Sequence, residues 1–195
     1  MLLLVRHGET EANAAGVLLG RTESPLTAHG RSQVAALAPG LSGVARLISS
    51  PLGRARETAA ALGLDLPVEI DERWAEIDYG EFEGHKLAAL PPTLLRDWRA
   101  DPRFRPPGGE TLAELGHRVR GACTDLFARG GEGARADGDV VVVSHVSPIK
   151  AAVAWALGAG DELSWRLHLS TASITRIAWG VDGPVLRGFN DTLPA

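Results

Sequence analysis

Short apolar runs alternate along the chain with segments of helical periodicity. Two predicted strands consist of an apolar run that ends abruptly in polar residues, Leu2–Arg6 and Val140–Ser144, and Ala45–Ser49 predicts another strand between them. This pattern is typical of central strands that are covered on both faces. Val68–Ile70 predicts a further short strand. Alternating polarity over 172–179 and 184–189 predicts a hairpin near the edge of the sheet.

Helix-start signals lie between these strands. Thr27 is a favourable N-cap residue for one helix. Ser50-Pro51 predicts a second start, with Ser50 as N-cap and Pro51 at the first helical position. Ser147-Pro148 predicts a similar start for a helix that ends near Leu157-Gly158. A longer helix is expected from residues 109–111 to about Phe127.

The order of these elements predicts the fold class. Strands that alternate with helices favour an α/β fold, here a three-layer α/β/α sandwich around a mainly parallel sheet with a mixed edge. No repeat or linker divides residues 1–195, so we expect one domain. Residues 85–109 contain proline and glycine clusters around a short helix and are interpreted as a cap-like insertion. The glycine-rich stretch 130–138 is expected to be a surface loop.

Composition narrows the class of protein. The net charge is −4, without a basic arm or an acidic tail, so neither nucleic acid nor a membrane surface is an expected partner. Cys123 is the single cysteine and falls in an apolar helical pattern, which predicts a core residue. The Leu2–Val5 run is too short for the apolar region of a signal peptide, and a cytoplasmic location is expected. An arginine, alanine and glycine bias indicates a bacterial source with a GC-rich genome.

Two histidines follow predicted strands. Because ligands of open α/β sheets bind beyond the carboxyl ends of the strands, His7 and His145 are expected to share one site. Arg6, Arg54 and a protonatable His145 offer three cations there, which indicates an anion rather than a metal ion. Guanidinium groups bind phosphate oxygens through bidentate, charge-assisted hydrogen bonds. Gly8 lacks a Cβ and is expected to let a bulky oxyanion approach the backbone.

A histidine in such a pocket can act as a nucleophile. The imidazole of His7 can attack phosphorus and form a phosphohistidine. Nearby cations favour its neutral form and stabilise charge on the equatorial phosphate oxygens. The leaving alkoxide needs a proton, for which Glu76 is the candidate acid and Asp78 the reserve.

These motifs together resemble the histidine phosphatase superfamily, which has the phosphoglycerate-mutase-like fold. Arg6-His7-Gly8-Glu9-Thr10 resembles the family signature. Further blocks recur in the family's order up to about residue 150: Asn13, Leu26-Thr27 with Gly30, Ser49–Leu52 with Arg54-Ala55, Glu76 with Tyr79-Gly80, Glu83-Gly84, Pro107–Glu110 and Ser144-His145. The resemblance implies a phosphorylated His7 and Glu76 as proton donor.

The resemblance also implies the phosphate pocket. Arg6, Arg54 and His145 form the rest of it, and Asn13 and the hydroxyl of Thr10 add supporting contacts. Val146 stands where many family members have glycine. Its backbone N–H can still bind phosphate, although its side chain narrows the pocket.

The expected function is that of a metal-independent phosphomonoesterase acting on a small phosphorylated metabolite, without a cofactor. The sequence around His145 resembles a phosphatase subgroup that includes α-ribazole-phosphatase-like domains. The segment between Gly84 and Glu110 is short, as in phosphatases, whereas mutases carry a longer insertion whose basic residues hold a bisphosphate intermediate. The alternatives are a cofactor-dependent phosphoglycerate mutase and a non-catalytic phospho-ligand-binding protein.

Several roles stay open at this point. The cap-like insertion carries four arginines that either form a solvated face or bind a second acidic group of the substrate: Arg96, Arg99, Arg103 and Arg105. Trp98 and Phe104 either pack the insertion onto the sandwich or form a wall for the leaving group. His168 is either exposed or at the rim of the pocket. A homodimer is compatible with the sequence, and the substrate is not identified by it.

Overall fold

The computed structural model describes residues 1–129 and 138–192. Within them, one sheet is formed by six strands: β1 (Leu2–Arg6), β2 (Val44–Ser49), β3 (Val68–Ile70), β4 (Asp139–Ser144), β5 (Ile174–Gly180) and β6 (Gly183–Asp191). Their order is β3-β2-β4-β1-β5-β6. The first four in this order pair in parallel, and β5 and β6 are antiparallel to their neighbours. The predicted mainly parallel sheet with a mixed edge is confirmed.

Helices cover both faces of the sheet. The described α-helices are α1 (Glu11–Ala15), α2 (Ala28–Ala35), α3 (Gly53–Ala61), α4 (Pro92–Ala100), α5 (Leu112–Arg129) and α6 (Val146–Ala156). Successive side chains of a strand point to opposite faces. In β1, Leu2 and Leu4 therefore pack with α5 and α6, whereas Leu3 and Val5 pack with α2 and α3. Burial on both faces explains the continuous apolar runs and confirms the three-layer sandwich.

The structure corrects two predicted helix starts. Leu52, not Ser50, is the N-cap of α3, and it makes no side-chain cap bond. His145 is the N-cap of α6, so Pro148 occupies the third helical position and not the first. A proline is tolerated there because the first four N–H groups of a helix have no intrahelical acceptor. Thr27 is confirmed as the N-cap of α2 and accepts a hydrogen bond from the N–H of Gly30 over 2.9 Å.

Other predicted features have mixed outcomes. Helix α1 is absent from the sequence-based prediction because its five residues include no buried side chain and so show no apolar periodicity. Cys123 is fully buried, as predicted. The predicted loop at 130–138 lies outside the described residues, apart from Gly138.

Across residues 1–129 and 138–192, no helix has the length and apolar character that a membrane crossing requires.

Candidate active site

The sheet places His7 and His145 side by side. Arg6 of β1 is in register with Ser144 of β4, so the next residue of each strand is a histidine at the carboxyl edge of the sheet. The N–H of His7 donates to the carbonyl of Ser144 over 3.0 Å, and the two ring centroids are 5.1 Å apart. Both rings are buried, with 3% of His7 exposed. The structure thus brings the two histidines together in the way that the strand ends predict.

The ring of His7 is held in a single orientation. Its Nδ1 lies 2.7 Å from the carbonyl oxygen of Gly8. A carbonyl oxygen can only accept a hydrogen bond, so Nδ1 carries the proton and the lone pair of the neutral ring resides on Nε2. Burial, followed by the charges of Arg6 and Arg54, holds the pKa of His7 well below its ordinary value. The ring is therefore a neutral imidazole with a free Nε2 lone pair near neutral pH.

The ring of His145 is bonded at both nitrogens. Nδ1 accepts the Nε–H of Arg54 over 3.2 Å, which leaves Nε2 to donate to the hydroxyl of Ser50 over 2.7 Å. Burial, followed by the charge of Arg54, holds the pKa of His145 well below its ordinary value. The expectation that His145 supplies a cation is therefore wrong for this structure, because it is neutral. Ser50, predicted as a helix cap, is the hydrogen-bond partner of this ring.

Arg54 is an interior arginine. Only 1% of it is exposed, and besides His145 its guanidinium donates to the carbonyls of Gly20 and Thr22 over 2.6 and 3.0 Å. Arg54 and His145 are both absent from the residues that line the adjacent cavity. The structure therefore places these two predicted pocket residues next to His7 but behind the cavity wall, where they are bonded to each other.

Arg6 is the cation that faces the cavity at the His7 end. Its Nη1 donates to the carbonyl of Leu169 over 2.6 Å, and within the described residues its buried Nε has no hydrogen-bond partner. Burial lowers the pKa of Arg6 to about 10, against the opposing effect of Glu76. The group stays positively charged at neutral pH and retains a free donor for an anion.

Glu76 lies at the amino end of α6. Its carboxylate accepts the N–H of Ile77 over 2.8 Å and that of Ser147, near the start of α6, over 3.2 Å. Helix N-termini favour carboxylates because their N–H groups and dipole are positive. Arg118 donates to the carbonyl of Glu76 and pairs with Glu110, which fixes this segment from behind. Glu76 is buried yet lines the cavity, as a proton donor requires.

Asp78, the reserve acid, has a structural contact instead. Its Oδ1 accepts the N–H of Gly80 over 2.8 Å, and Asp78 does not line the cavity. Tyr79 does line it, and burial, followed by the charge of Glu76, raises the pKa of its phenol. This segment therefore presents a carboxyl group and a neutral phenol to the same space.

Asn13 and Thr10, the two predicted supporting phosphate contacts, differ in their position relative to the cavity. Asn13 lines the cavity, and its Oδ1 accepts from the N–H and the hydroxyl of Thr10. This arrangement leaves its amide N–H groups free of partners within the described residues. Thr10 is fully buried, caps α1 and does not line the cavity, so its hydroxyl positions Asn13. Val146 lines the cavity at the first position of α6, where its N–H has no described acceptor.

Gly8 is required for packing. A Cβ at this position would lie 2.5 Å from the carbonyl oxygen of Gly30 and 2.9 Å from Val34. Gly8 therefore allows a close crossing of the His7 loop and α2, and its expected role in admitting an oxyanion stays a prediction. The missing side chain allows the loop to rest directly on the helix.

A cavity of about 260 Å³ opens beside His7. The residues that line it include five whose contribution the sequence analysis did not assign to the site: Leu18, Tyr79, Lys150, Ser164 and Trp165. The position of Lys150 in the cavity could have been predicted from the sequence, because it lies four residues after Val146 and therefore on the same face of α6. Ser164 and Trp165 lie in the 3₁₀ helix Asp161–Arg166, which packs against α6. No local sequence pattern marks that contact.

The cap-like segment forms the apolar wall of the cavity. Trp98 of α4 is 2% exposed, lines the cavity and contacts the rings of Phe104 and Trp165 at centroid distances of 6.0 and 5.3 Å. Both interpretations of Trp98 therefore hold, since it packs the segment and lines the site. The four arginines of the segment are exposed, and none of them lines the cavity: Arg96, Arg99, Arg103 and Arg105. His168 is also exposed and outside it.

The donor set does not suggest a metal centre. Over the part of the chain that the structure describes, no three His, Cys, Asp or Glu side chains cluster as metal ligands. The cavity instead combines Arg6 and Lys150 with a free imidazole nitrogen and one carboxyl group.

Known proteins show similarity to nearly the whole chain. A family model described as histidine phosphatase superfamily (branch 1) matches residues 2–192. A protein described as bifunctional from Mycobacterium tuberculosis is 41% identical over 190 residues, which cover 93% of this chain and 51% of that protein. This chain thus spans about half the length of that relative.

Two further matches cover most of this chain and most of the other protein. A relative from Serratia proteamaculans, named probable phosphoglycerate mutase GpmB, is 35% identical over 184 residues, covering 89% of this chain and 82% of the relative. A solved structure of a phosphoserine phosphatase mutant from Entamoeba histolytica, in complex with phosphoserine, has a TM-score of 0.87 and 28% identity. That match covers 97% of this chain and 95% of the other.

Proposed function

The chain belongs to the histidine phosphatase superfamily, and from that premise we propose that it hydrolyses the phosphate monoester of a small metabolite through a phosphohistidine at His7. The observation that carries this proposal is the tautomer of His7. Its Nδ1–H is bound to the carbonyl of Gly8, so the Nε2 lone pair is available for attack on phosphorus. The depressed pKa of His7 keeps that lone pair free at neutral pH.

In the first step, Nε2 of His7 forms a bond to phosphorus while the bond between phosphorus and the leaving oxygen breaks. Glu76 in its protonated form donates its proton to that oxygen, so the leaving group departs as an alcohol. Three donors lie where they can contact the phosphate oxygens: the guanidinium of Arg6, the N–H of Val146 and the amide of Asn13. They stabilise the charge that spreads over those oxygens in the transition state.

In the second step, water attacks the phosphohistidine. The ionised carboxylate of Glu76 accepts a proton from that water, the bond between phosphorus and Nε2 breaks, and phosphate leaves. Arg54 and His145 support both steps from behind the cavity wall. The positive charge of Arg54 favours an anion beside His7, and its bond to Nδ1 fixes the His145 ring at the edge of the site.

Hydrolysis fits the cavity better than mutase chemistry. A mutase must retain a doubly phosphorylated intermediate, which needs additional cations around the leaving group. None of the four arginines of the cap-like segment lines the cavity, and three have other contacts, since Arg105 pairs with Glu114, Arg96 pairs with Asp97 and Arg99 lies over the ring of Trp165. Among the described cavity-lining residues, only Arg6 and Lys150 carry a positive charge.

Two assays test this proposal. Phosphate release from 4-nitrophenyl phosphate in the presence of a chelator is expected to continue, because no metal-ligand cluster occurs in the described residues. Conversion of 3-phosphoglycerate to 2-phosphoglycerate with a bisphosphate primer is expected to be slower than hydrolysis. Faster conversion would establish the mutase. Tight phosphate-ester binding without any turnover would establish the non-catalytic alternative.

Four wider expectations stay predictions. We retain the interpretation of residues 1–195 as one domain with residues 85–109 as its cap. A cytoplasmic location is also retained on the sequence argument alone, and a homodimer stays compatible with the sequence without being required by it. This chain spans about half of the relative from Mycobacterium tuberculosis. The proposal therefore concerns the chemistry of this site and not the activity of that whole protein.

A further inference from the structure

Thr58 is a fully buried polar residue of α3 with two hydrogen bonds. Its hydroxyl donates to the carbonyl of Arg54 over 2.8 Å, the usual bond of a helical threonine to the residue four positions earlier. A hydroxyl has one hydrogen and two lone pairs. The same oxygen therefore accepts the N–H of Gly8, which lies 3.1 Å away and 50 residues earlier in the chain. Thr58 thus joins α3 to the loop that follows His7.

Gly8 connects this hydroxyl to the imidazole of His7. The N–H that Thr58 accepts belongs to the peptide between His7 and Gly8. The carbonyl of Gly8, in the next peptide, lies 2.7 Å from Nδ1 of His7 and keeps the proton on that nitrogen. The two bonds hold adjacent peptide groups, so a rotation of the backbone at Gly8 that breaks one also disturbs the other. The hydroxyl of Thr58 is therefore one residue away from the group that sets the tautomer of His7.

The backbone of Gly8 needs such external contacts. Glycine has more conformational freedom than any other residue, yet this one has to present its carbonyl at a fixed position. On one side, α2 lies so close that a Cβ of Gly8 would be 2.5 Å from the carbonyl oxygen of Gly30. That contact limits how far the loop can move, but it provides no acceptor for the N–H. Thr58 supplies that acceptor, and a buried N–H without one would be unfavourable.

Helix α3 is in this way bonded to both histidines. Thr58 lies four residues after Arg54, and residues at this spacing share a helix face. Arg54 donates to Nδ1 of His145, whereas Thr58 binds the loop of His7. Thr58 does not line the cavity, so it has no contact with a phosphate ester bound there. Its effect on the reaction has to pass through Gly8.

We propose that Thr58 is a positioning residue for the nucleophile: its hydroxyl fixes the backbone of Gly8, which holds the proton of His7 on Nδ1 and leaves Nε2 free to attack phosphorus. This inference rests on the proposed phosphatase function and adds a residue to its machinery. The step that Thr58 serves is the phosphorylation of His7. Binding of phosphate depends on Arg6 and other groups that line the cavity, and is expected to be independent of Thr58.

A kinetic comparison of variants tests the role of Thr58. Thr58→Val removes the hydroxyl at nearly constant size. Pre-steady-state release of 4-nitrophenol from 4-nitrophenyl phosphate is expected to slow by about tenfold or more, as the loss of one buried hydrogen-bond partner can cause. The Kd of inorganic phosphate, measured by calorimetry, should change by less than about threefold. A slower reaction that is matched by an equal loss of phosphate affinity would assign Thr58 to phosphate binding and overturn the inference.

Two further variants control for the loss of a buried hydroxyl. Thr58→Ser keeps the hydroxyl and should restore the rate of phosphorylation. Thr175 of β5 is also fully buried, and its hydroxyl accepts the N–H of Asn190 over 3.4 Å. Thr175→Val should therefore lose stability without slowing phosphorylation. An equal slowing in Thr175→Val would mean that any buried threonine has this effect, which would overturn the specific role of Thr58.

The tautomer of His7 gives a readout that stability alone does not change. ¹⁵N NMR of the histidine rings shows which nitrogen carries the proton, and the His7→Gln spectrum identifies the signals of His7. Wild-type protein, Thr58→Ser and Thr175→Val should have the proton on Nδ1. Thr58→Val should have a clearly larger share of the Nε2–H form. An unchanged tautomer in folded Thr58→Val would overturn the inference, whatever the rate.

The NMR measurement needs no turnover and so separates this inference from the proposed function. A tautomer change in Thr58→Val, in a protein whose wild type hydrolyses no ester, would refute the phosphatase and leave the positioning of the ring intact. Turnover through His7 with an unchanged tautomer in Thr58→Val would refute only the role of Thr58. Thermal unfolding verifies that each variant is folded. Thr58→Cys, whose thiol is a weak acceptor, carries the same predictions if Thr58→Val does not fold.

Discussion

The Nε–H of Arg54 donates to Nδ1 of His145 over 3.2 Å. This single bond fixes the tautomer of the imidazole, and burial, followed by the charge of Arg54, lowers its pKa so that the ring is neutral. The guanidinium is positioned in turn by the carbonyls of Gly20 and Thr22. The sequence predicts Arg54 and His145 as two independent phosphate ligands. In the fold they are hydrogen-bonded to each other, so a change in one is expected to affect the other.

Arg54→Lys tests this coupling, because lysine keeps the charge but cannot reproduce the planar fork of three bonds. The free energy of unfolding should fall by about 1–3 kcal/mol, since carbonyls and a ring nitrogen lose their donor. The value of kcat/KM should fall by about tenfold, because the His145 ring loses the charged hydrogen bond that fixes it at the edge of the site. Urea denaturation and steady-state kinetics measure the two effects. Arg56→Lys, on the exposed side of α3, is the control, and equal behaviour of the two variants would refute the coupling.

Glu76→Gln tests the proton donor. Glutamine keeps the shape but cannot give a proton to the leaving oxygen. The first step with an alkyl ester should slow by about 100-fold or more, whereas 4-nitrophenyl phosphate should lose far less because its leaving group needs little protonation. Pre-steady-state release of the alcohol or phenol isolates this step from hydrolysis of the phosphoenzyme. Glu81→Gln, which is exposed, is the control. Similar losses for both esters would remove Glu76 from the acid role.

The buried histidines predict a dependence of stability on pH. Folding holds the pKa values of His7 and His145 well below the ordinary 6.5, and unfolding restores them. Below about pH 6.5 the unfolded chain therefore binds protons that the folded chain does not, so stability is full above that pH and falls beneath it. Between about pH 7.5 and 5.5, the free energy of unfolding should decrease by roughly 1 kcal/mol for each histidine.

Urea denaturation at the two pH values measures this effect. The double variant His7→Gln/His145→Gln should lose much of the dependence. His29→Gln/His117→Gln replaces two exposed histidines and should retain it. An unchanged dependence in the first double variant would show that other groups cause the loss at low pH.

The contact between Gly80 and the cap-like segment offers a test of packing. Gly80 has φ of 54°, and a Cβ there would lie 2.1 Å from the carbonyl oxygen of Pro107. Gly84 has φ of 77°, but a Cβ at that position would meet no atom within 4 Å, so the two glycines share backbone strain and differ in the clash. Gly84→Ala should cost about 1–2 kcal/mol. Gly80→Ala should cost clearly more and also reduce kcat/KM, because Glu76 and the cap-like segment shift together.

Thermal and urea denaturation of the two glycine variants measure this difference. Equal destabilisation, with activity preserved in both, would mean that the segment adjusts freely around position 80. The account of a cap that is fixed to the Glu76 segment by backbone contact would then be wrong.

The strand pattern predicted most of the sheet and the meeting of His7 with His145. Parallel strands end at a common edge, so an apolar run followed by histidine fixes the place of the ring. The helix starts were less predictable. Ser50-Pro51 has the composition of a cap, yet the hydroxyl of Ser50 bonds to His145, which lies 95 residues further along the chain. A tertiary partner of this kind leaves no local signal.

The cavity-lining residues outside the sequence motifs were the least predictable part of the site. Lys150 could have been found from its spacing after Val146 on α6, because residues four apart share a helix face. Trp165 and Ser164 reach the cavity only because their 3₁₀ helix packs against α6. Thr10 shows the opposite error, since its place in the signature predicts a phosphate contact whereas its hydroxyl is bonded to Asn13. Sequence motifs identify residues more reliably than they assign the atoms that each residue touches.

The covalent intermediate on His7 is the most direct test of the central claim. Wild-type protein should be mixed briefly with 4-nitrophenyl phosphate, quenched under alkaline conditions and digested for mass spectrometry while release of the phenol is followed. A phosphate adduct on the peptide that contains His7, absent in His7→Ala and formed no more slowly than turnover, is the predicted result. Steady turnover with no adduct on His7, or an unchanged rate in His7→Ala, would contradict the claim.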